Sequence, residues 1–497
     1  MHTIEFPIKT DEYSRNTLIH CFNCAWKIKN ILMKEAIHRM NRMRSRTEYQ
    51  KALAEYTVLP KNISGKRFGS RAEFLRTVLS GIRMEEGLTE YDLQKYVKLS
   101  QMRYSRYISS QQAQAITSEV WKGVEKVLYG NGQHLHFKKR ADIDTIPGKS
   151  NKNGARWYPD CTIRYAGMQL KAVVDSEDPY VQQAMKDSVR YVTIKRRMFP
   201  DGYHYYAVLT LSGTAPKKIV AHKTEEIGID PGMTVMNVCG EESADMFELA
   251  PDCSRYNRKI ARIQRSIDRK KRVSDPDNFN ADGTIKKGHL TWHLSRSCRR
   301  CCNILTYLFR KKSAYIRQSH FIQADNIIRT ASGIAIEPME YKALQKKSKV
   351  VKRQAAPSEI QKKDGSVQKV YKYKRRKRFG KSLNDRAPSS FLAILEQKAA
   401  LYNIPVIEIK TAQYKASQYR HDTDAYEKIP LSKRRKTISG AIVLRDLYSA
   451  FLIRNTDASG THPDRHKCAD TFPDFLKLQE DLIQRFGSTP RPKCFGF

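Results

Sequence analysis

The sequence predicts a multidomain protein of mixed α/β and β character: a basic α/β domain in the C-terminal half, a small β domain before it, and a helical insert. Three observations carry this. From residue 225 onward short apolar strands alternate with long helices, the order of an α/β layer fold. Between about 157 and 225 the pattern is tyrosine-rich strands joined by turn residues. Between 15 and 149 apolar residues recur at helical spacing. The N-terminal β domain is expected to be barrel-like, built from 1–14 and 150–225 around the helical stretch. The α/β domain covers 226–410 and 440–470, with a basic insert at 341–381 and a second insert at 411–439. Residues 471–497 are expected to form a tail.

Each element has a local reason. Phe22, Trp26, Ile28, Ile31 and Leu32 share one helical face, which predicts a helix from Leu18 to about Arg44. Phe74, Leu75, Val78, Leu79 and Ile82 repeat the pattern. Val189–Arg197 and Tyr203–Leu211 read as two strands joined across Pro200-Asp201-Gly202, a hairpin turn. One strand is expected over Gly228–Cys239, another at Met246–Leu249, a third at Gly333–Glu337 and a fourth at Pro405–Lys410. Helices are expected over 253–272, 293–329, Ser389–Tyr402 and Gly440–Asn455. Residues 273–289, rich in Asp, Asn, Gly and Pro, read as a loop.

Charge narrows the partners. The chain holds 91 Lys and Arg against 51 Asp and Glu, a net charge of +40. A compact chain with that excess repels itself unless a polyanion neutralises it, and nucleic acid releases counterions when it does so. No apolar run reaches the roughly 18 residues of a membrane span, and no amphipathic basic helix stands out as an anchor. A membrane partner is therefore not expected. The first residues lack the layout of a signal peptide, so a cytoplasmic location is expected, and ten cysteines read as reduced thiols. Residues 341–381 carry 16 Lys/Arg against Glu359 and Asp364, too dense a run for a core. The basic residues Lys195, Arg196, Arg197, Lys374, Arg375, Arg376 and Arg445 are expected to contact nucleic acid.

Three acidic residues stand where an α/β sheet would present them. Asp230 lies in Ile227-Gly228-Ile229-Asp230-Pro231-Gly232. Glu337 ends the apolar run Gly333-Ile334-Ala335-Ile336. Asp446 opens or lies early in a helix, in the run Leu444-Arg445-Asp446-Leu447-Tyr448-Ser449-Ala450-Phe451-Leu452-Ile453. A charged carboxylate among apolar neighbours costs free energy unless something pairs it. Three together repel one another, and hard divalent cations such as Mg²⁺ or Mn²⁺ remove both costs. Two such ions can activate water and stabilise a leaving 3′ oxygen. Read singly, Asp-Pro-Gly is a common turn, Glu337 a strand-end charge and Asp446 a helix residue paired to Arg445.

These three segments, in this order, resemble the RuvC motifs of the TnpB proteins of insertion sequences and of the compact type V CRISPR effectors related to them. Ser389-Ser390-Phe391, Leu395-Glu396-Gln397-Lys398-Ala399 and Val406-Ile407-Glu408-Ile409 resemble the segment between the second and third motifs. The resemblance covers about 225–455; before that it rests on architecture alone. It implies an RNase H-like (RuvC) nuclease domain, a wedge-like β domain and a helical recognition insert. It implies a guide RNA, a double-stranded DNA target, and a catalytic and metal-binding triad of Asp230, Glu337 and Asp446 holding two Mg²⁺ or Mn²⁺ ions. It also implies a four-cysteine zinc ribbon between the second and third motifs, yet residues 338–467 contain no cysteine. That slot holds Ser417 to Asp422 and the run Lys433-Arg434-Arg435-Lys436, so the insert is expected to be metal-free or reshaped. The pairs Cys21/Cys24 and Cys298/Cys301 lie in expected helices, and His421 has no cysteine nearby, so no zinc site is expected. A DNA transposase with a similar acidic triad, and a nuclease-inactive guided repressor, are the competing readings.

Overall fold

The computed structural model describes residues 1–59, 66–130, 132–344, 357–361, 367–370, 379–430 and 432–487. Two compact units divide the chain, Met1–Pro216 and Lys217–Phe497. Among the described residues no helix is long and apolar enough to cross a membrane.

The first unit begins with strand β1 (His2–Pro7) and the 34-residue helix α1 (Glu12–Ser45). Asp11 caps α1 by accepting from the Ser14 backbone N–H at 2.8 Å. Its Leu18, Cys21, Phe22, Ala25, Ile28, Leu32, Ala36, Met40 and Met43 are buried, a continuous stripe at three- and four-residue steps. Helices α2 (Thr47–Val58), α3 (Lys66–Glu85), α4 (Glu90–Arg103) and α5 (Ser110–Leu128) follow. Next come β2 (Thr145–Ile146), β3 (Arg156–Trp157), β4 (Thr162–Tyr165), β5 (Met168–Lys171), α6 (Pro179–Ala184), β6 (Val189–Phe199) and β7 (Gly202–Leu211). The expected β6–β7 hairpin is present, with Phe199 opposite Gly202 across the turn.

The strands make a four-stranded sheet in the order β1-β7-β6-β2 and a three-stranded sheet β3-β4-β5. Among the described residues neither closes on itself, so the barrel-like expectation is corrected. The four-stranded sheet ends at β2, only two residues long, which offers too little edge to close against β1. One hydrophobic cluster joins sheet and helices, with Val192, Ile194, Ala207 and Leu209 beneath Phe22 and Ile28.

The second unit is built on a five-stranded sheet. Its strands and helices are β8 (Glu225–Pro231), β9 (Val235–Cys239), β10 (Ala244–Glu248), α7 (Cys253–Ser274), α8 (Arg296–Thr330) and β11 (Ala331–Ile336). They continue with α9 (Tyr341–Leu344), the hairpin β12 (Ser358–Gln361) and β13 (Val367–Val370), α10 (Gly380–Arg386), α11 (Pro388–Tyr402) and β14 (Val406–Glu408). Last come α12 (Thr411–Tyr414), β15 (Tyr419–Arg420), β16 (Ala425–Tyr426), β17 (Arg435–Ile438), β18 (Ala441–Leu444), α13 (Arg445–Arg454) and α14 (Arg465–Phe486). The sheet order is β10-β9-β8-β11-β14; β8, β11 and β14 run parallel, while β8, β9 and β10 form an antiparallel meander.

Three expectations differ here. The single strand over Gly228–Cys239 is a hairpin, because Pro231-Gly232 turns the chain; Asp230 therefore ends a strand instead of beginning one. Gly440–Leu444 is not helical: Ala441–Leu444 pairs with β17, and the helix starts at Arg445. The segment expected as a tail from 471 continues α14 to Phe486. Its Cys468, Phe472, Phe475, Gln479 and Leu482 are buried at helical spacing.

Alternation along the strands sorts the sheet's two faces. Ile227, Ile229, Met236, Val238, Ile334 and Ile336 pack against Ile327 and Ile328 of α8 and Phe391 and Leu395 of α11. Val235, Cys239 and Ala335 face the other way, with Leu447, Ala450 and Phe451 of α13 and Phe472 and Phe475 of α14. Gly228 belongs to this second face. A Cβ there would collide with the Ala450 carbonyl and the Arg454 backbone, so only glycine lets α13 lie directly on β8.

Candidate active site

The register of β8 and β11 sets the first two carboxylates side by side. Ala335 stands beside Gly228 and Ile336 beside Ile229, and the Glu337 N–H donates to the Ile229 carbonyl at 3.3 Å. One step further, Glu337 reaches the level of Asp230. Both are an even number of residues from Ala335 and Gly228, so both belong to the face that α13 covers. Asp446 is the second residue of α13, in the first turn, where the positive end of the helix favours a carboxylate.

Electrostatics agrees with that geometry. The half-buried Asp230 carboxyl is pushed well above the usual carboxylate range. Loss of water is the largest cause; the charges of Glu337 and then Asp446 add to it, and Arg445 opposes them. Burial also raises Glu337, against a hydrogen bond with the Thr411 side chain. Asn237 lies opposite Asp230 on β9 and donates from Nδ2 to the Asp230 carbonyl at 3.2 Å. Its buried Oδ1 has no partner among the described residues.

Asp446 is held differently. Its Oδ2 accepts from Arg434 at 2.8 Å, and its Oδ1 accepts from the Arg445 Nε at 2.8 Å and terminal nitrogen at 2.6 Å. Arg445 is itself buried and also donates to the Lys433 carbonyl. Nearby on β17, Lys436 is buried with its Nζ unpartnered among the described residues, 5.8 Å from the centre of the Tyr448 ring. Burial lowers its amine to about 8.

Among the described residues no three His, Cys, Asp or Glu side chains stand as a ready-made metal cage. The chemistry of the donors nevertheless fits a hard divalent cation. Asp230 and Glu337 offer carboxylate oxygens, the charge of Glu337 raises Asp230, and the unsatisfied Asn237 oxygen belongs to the residue paired with Asp230. Both Asp446 oxygens are engaged, Oδ2 by Arg434 and Oδ1 by Arg445.

The expected nucleic-acid contacts separate. Lys195 and Arg197 are partly exposed on one face of β6, both near Glu5, with Arg197 4.4 Å over the Tyr206 ring. Arg196 points the other way, as strand alternation requires. It is buried, donates to the Ile143 and Arg140 carbonyls, and stacks on Phe22 and Tyr203. Arg445 is likewise buried and holds Asp446. The guanidinium groups of these two are therefore engaged within the fold, on backbone carbonyls and on the Asp446 carboxylate. Lys374, Arg375 and Arg376 lie outside the described residues. Cys21, Cys24 and Cys298 are buried free thiols and Cys301 is partly exposed. His421 bonds through Nδ1 to the Tyr448 hydroxyl at 2.7 Å, and burial disfavours its charged form.

No family model and no curated protein matches the chain. Among solved structures, a chain of a cryo-EM structure of a Cas12f1–sgRNA–target DNA complex is 12% identical, with a TM-score of 0.40. The alignment covers 90% of this chain and 87% of that one. A chain of a cryo-EM structure of a CRISPR-Cas12f ternary complex is also 12% identical, over 90% and 86%, with a TM-score of 0.26. Likeness at this level assigns no residue a role.

Sequence reasoning missed Arg434, Asn237 and Lys436. Arg434 and Lys436 sit in a visible basic run, but nothing local distinguishes the member that reaches Asp446 from its neighbours. Asn237 carries no local signal; only pairing with β8 brings it to Asp230.

Proposed function

We propose that the chain is an RNA-guided, metal-dependent DNA endonuclease whose single active site uses Asp230, Glu337 and Asp446. The observation that carries this reading is the register that brings Glu337 level with Asp230 at the end of the central strand β8, with Asp446 in the first turn of the helix lying over that face. Such a cluster is costly unless cations offset it. Divalent ions bound there would supply an activated water and stabilise the leaving 3′ oxygen of a phosphodiester. Asp230 and Glu337 would hold the ions from the ends of two adjacent strands. Arg445 fixes the Asp446 rotamer, and Arg434 keeps Asp446 neutralised until it is needed. The net charge of +40 supports polyanion partners, namely a guide RNA and a double-stranded DNA target.

The test is to sequence RNA copurifying with the protein. Matched duplexes with randomised flanks are then assayed for Mg²⁺-dependent cleavage. Asp230→Asn is expected to abolish cutting and to keep RNA and DNA binding; cutting that persists in that variant overturns the assignment. A second reading, a guided binder without nuclease activity, draws on the two arginines that occupy both Asp446 oxygens. Binding of a matched target by the unsubstituted chain, with no cleavage in Mg²⁺ or Mn²⁺, would select it.

A further inference from the structure

Helices α7 and α8 carry most of their charge on surfaces that the sheet does not use. α7 holds nine Lys and Arg against one Asp, and α8 eight against one. They pack antiparallel, with Tyr256 near Tyr315 at one end and Lys270 near Ser297 at the other. Between them, near the N-terminus of α7, lies a cleft of about 340 Å³. Half-buried Tyr256, Tyr307 and Tyr315 form its walls, and exposed Arg255, Lys259 and Lys311 its rim. The Tyr256 and Tyr315 rings are 5.4 Å apart, and the Lys311 Nζ lies 5.3 Å over the Tyr307 ring.

Half-buried rings ringed by cations are what an unpaired nucleotide needs: a π-face for the base and positive charge for its flanking phosphates. One acidic group also lines the cleft. Asp252 occupies the N-cap position of α7, yet its carboxylate makes no capping bond; it is largely exposed, with the likewise exposed Arg255 guanidinium 3.9 Å away. A carboxylate repels phosphate but accepts a hydrogen bond from a ribose 2′-hydroxyl, which DNA lacks. We propose that the cleft between α7 and α8 is a binding site for an unpaired nucleotide of RNA, with the base against Tyr256 and Tyr307, the phosphates on Lys259 and Lys311, and the 2′-hydroxyl on Asp252. This rests on the reading of the chain as an RNA binder, and it adds a site that shares no residue with the carboxylate cluster.

The test uses the full-length chain freed of copurified nucleic acid and a short fluorescent oligouridine carrying 5-iodouridine. Irradiation is expected to cross-link peptides of α7 or α8. Tyr256→Ala with Tyr307→Ala is expected to weaken binding roughly 5- to 100-fold, and the Tyr→Phe pair to stay within about twofold of the parent chain. Lys259→Gln with Lys311→Gln is expected to lower the slope of log affinity against log salt by about 1.4. Asp252→Asn is expected to erase the preference for RNA over the matching deoxyoligonucleotide. Tyr315 is left intact because its hydroxyl accepts from the Asp252 N–H. Cross-links confined to other segments, or alanine variants that bind like the parent while remaining folded by circular dichroism, overturn the site. Equal affinity of the parent chain for DNA overturns the choice of RNA. Failure of the parent chain to bind any oligonucleotide is a different outcome, and it removes the RNA-binding reading itself.

Discussion

Arg434→Gln should make the protein bind Mn²⁺ more tightly. Arg434 donates to Asp446 Oδ2 at 2.8 Å, and its side chain is 36% exposed against 21% for Asp446. A partly exposed ion pair of this kind is worth about 1 kcal/mol, well below a fully buried one. Metal capture by Asp446 must first break that pair. Removing it should therefore lower the Mn²⁺ dissociation constant about fivefold, since 1.4 kcal/mol is a factor of ten. Lys433→Gln removes the same charge one residue away and controls for the general field; Lys433 makes no contact to Asp446 through its side chain among the described hydrogen bonds and ion pairs. Free Mn²⁺ can be followed by electron paramagnetic resonance during titration of each folded chain. Unchanged or weaker binding in Arg434→Gln, or an equal gain in Lys433→Gln, would show that Arg434 does not compete with metal for Asp446.

Three further outcomes follow from the packing and the buried charges. The Lys436 amine falls from 10.5 to about 8 in the fold, so the unfolded chain binds more protons between those values and stability rises with pH across that window. Below about 8 the buried cation costs roughly 3 kcal/mol, so Lys436→Met should raise the melting temperature at pH 7, with the gain fading towards pH 10. Gly228→Ala should lower the melting temperature by several degrees and weaken Mn²⁺ binding, because its methyl group has to displace α13. Arg196→Gln should reduce thermal stability more than Arg197→Gln, since Arg196 is buried against two carbonyls and Arg197 is a partly exposed partner of Glu5.

Much of the sheet was legible because β8, β9 and β11 each carry a short apolar run, Ile227–Ile229, Val235–Met236 and Ile334–Ile336. Ile334, Ala335 and Ile336 before Glu337 read as a strand end, and the helix behind Asp446 follows from its apolar run. Adjacent turns were harder. Asp230-Pro231-Gly232 looks like a start, an end or a pause within a strand, and only the pairing of Asp230 with Asn237 decides it. Ile442 and Val443 suit helix or strand, and β17 supplied the partner that chose strand. Side-chain fates were least legible. Arg196 stands between two surface cations in sequence, and one step along a strand sends it into the core. Arg445 looks like a helix-surface charge until α13 lies on β8. The barrel expectation failed at β2, where residues after Ile146 leave the sheet and no strand-forming run continues it.

The proposed cation site is most directly examined by crystallising the protein with Mn²⁺ and mapping its anomalous scattering. A peak is expected in bonding contact with Asp230 and with at least one of Glu337 and Asp446, roughly 2.0–2.5 Å from their oxygens. An intact fold with no peak there, or with manganese bound only by residues outside these three, would contradict the account.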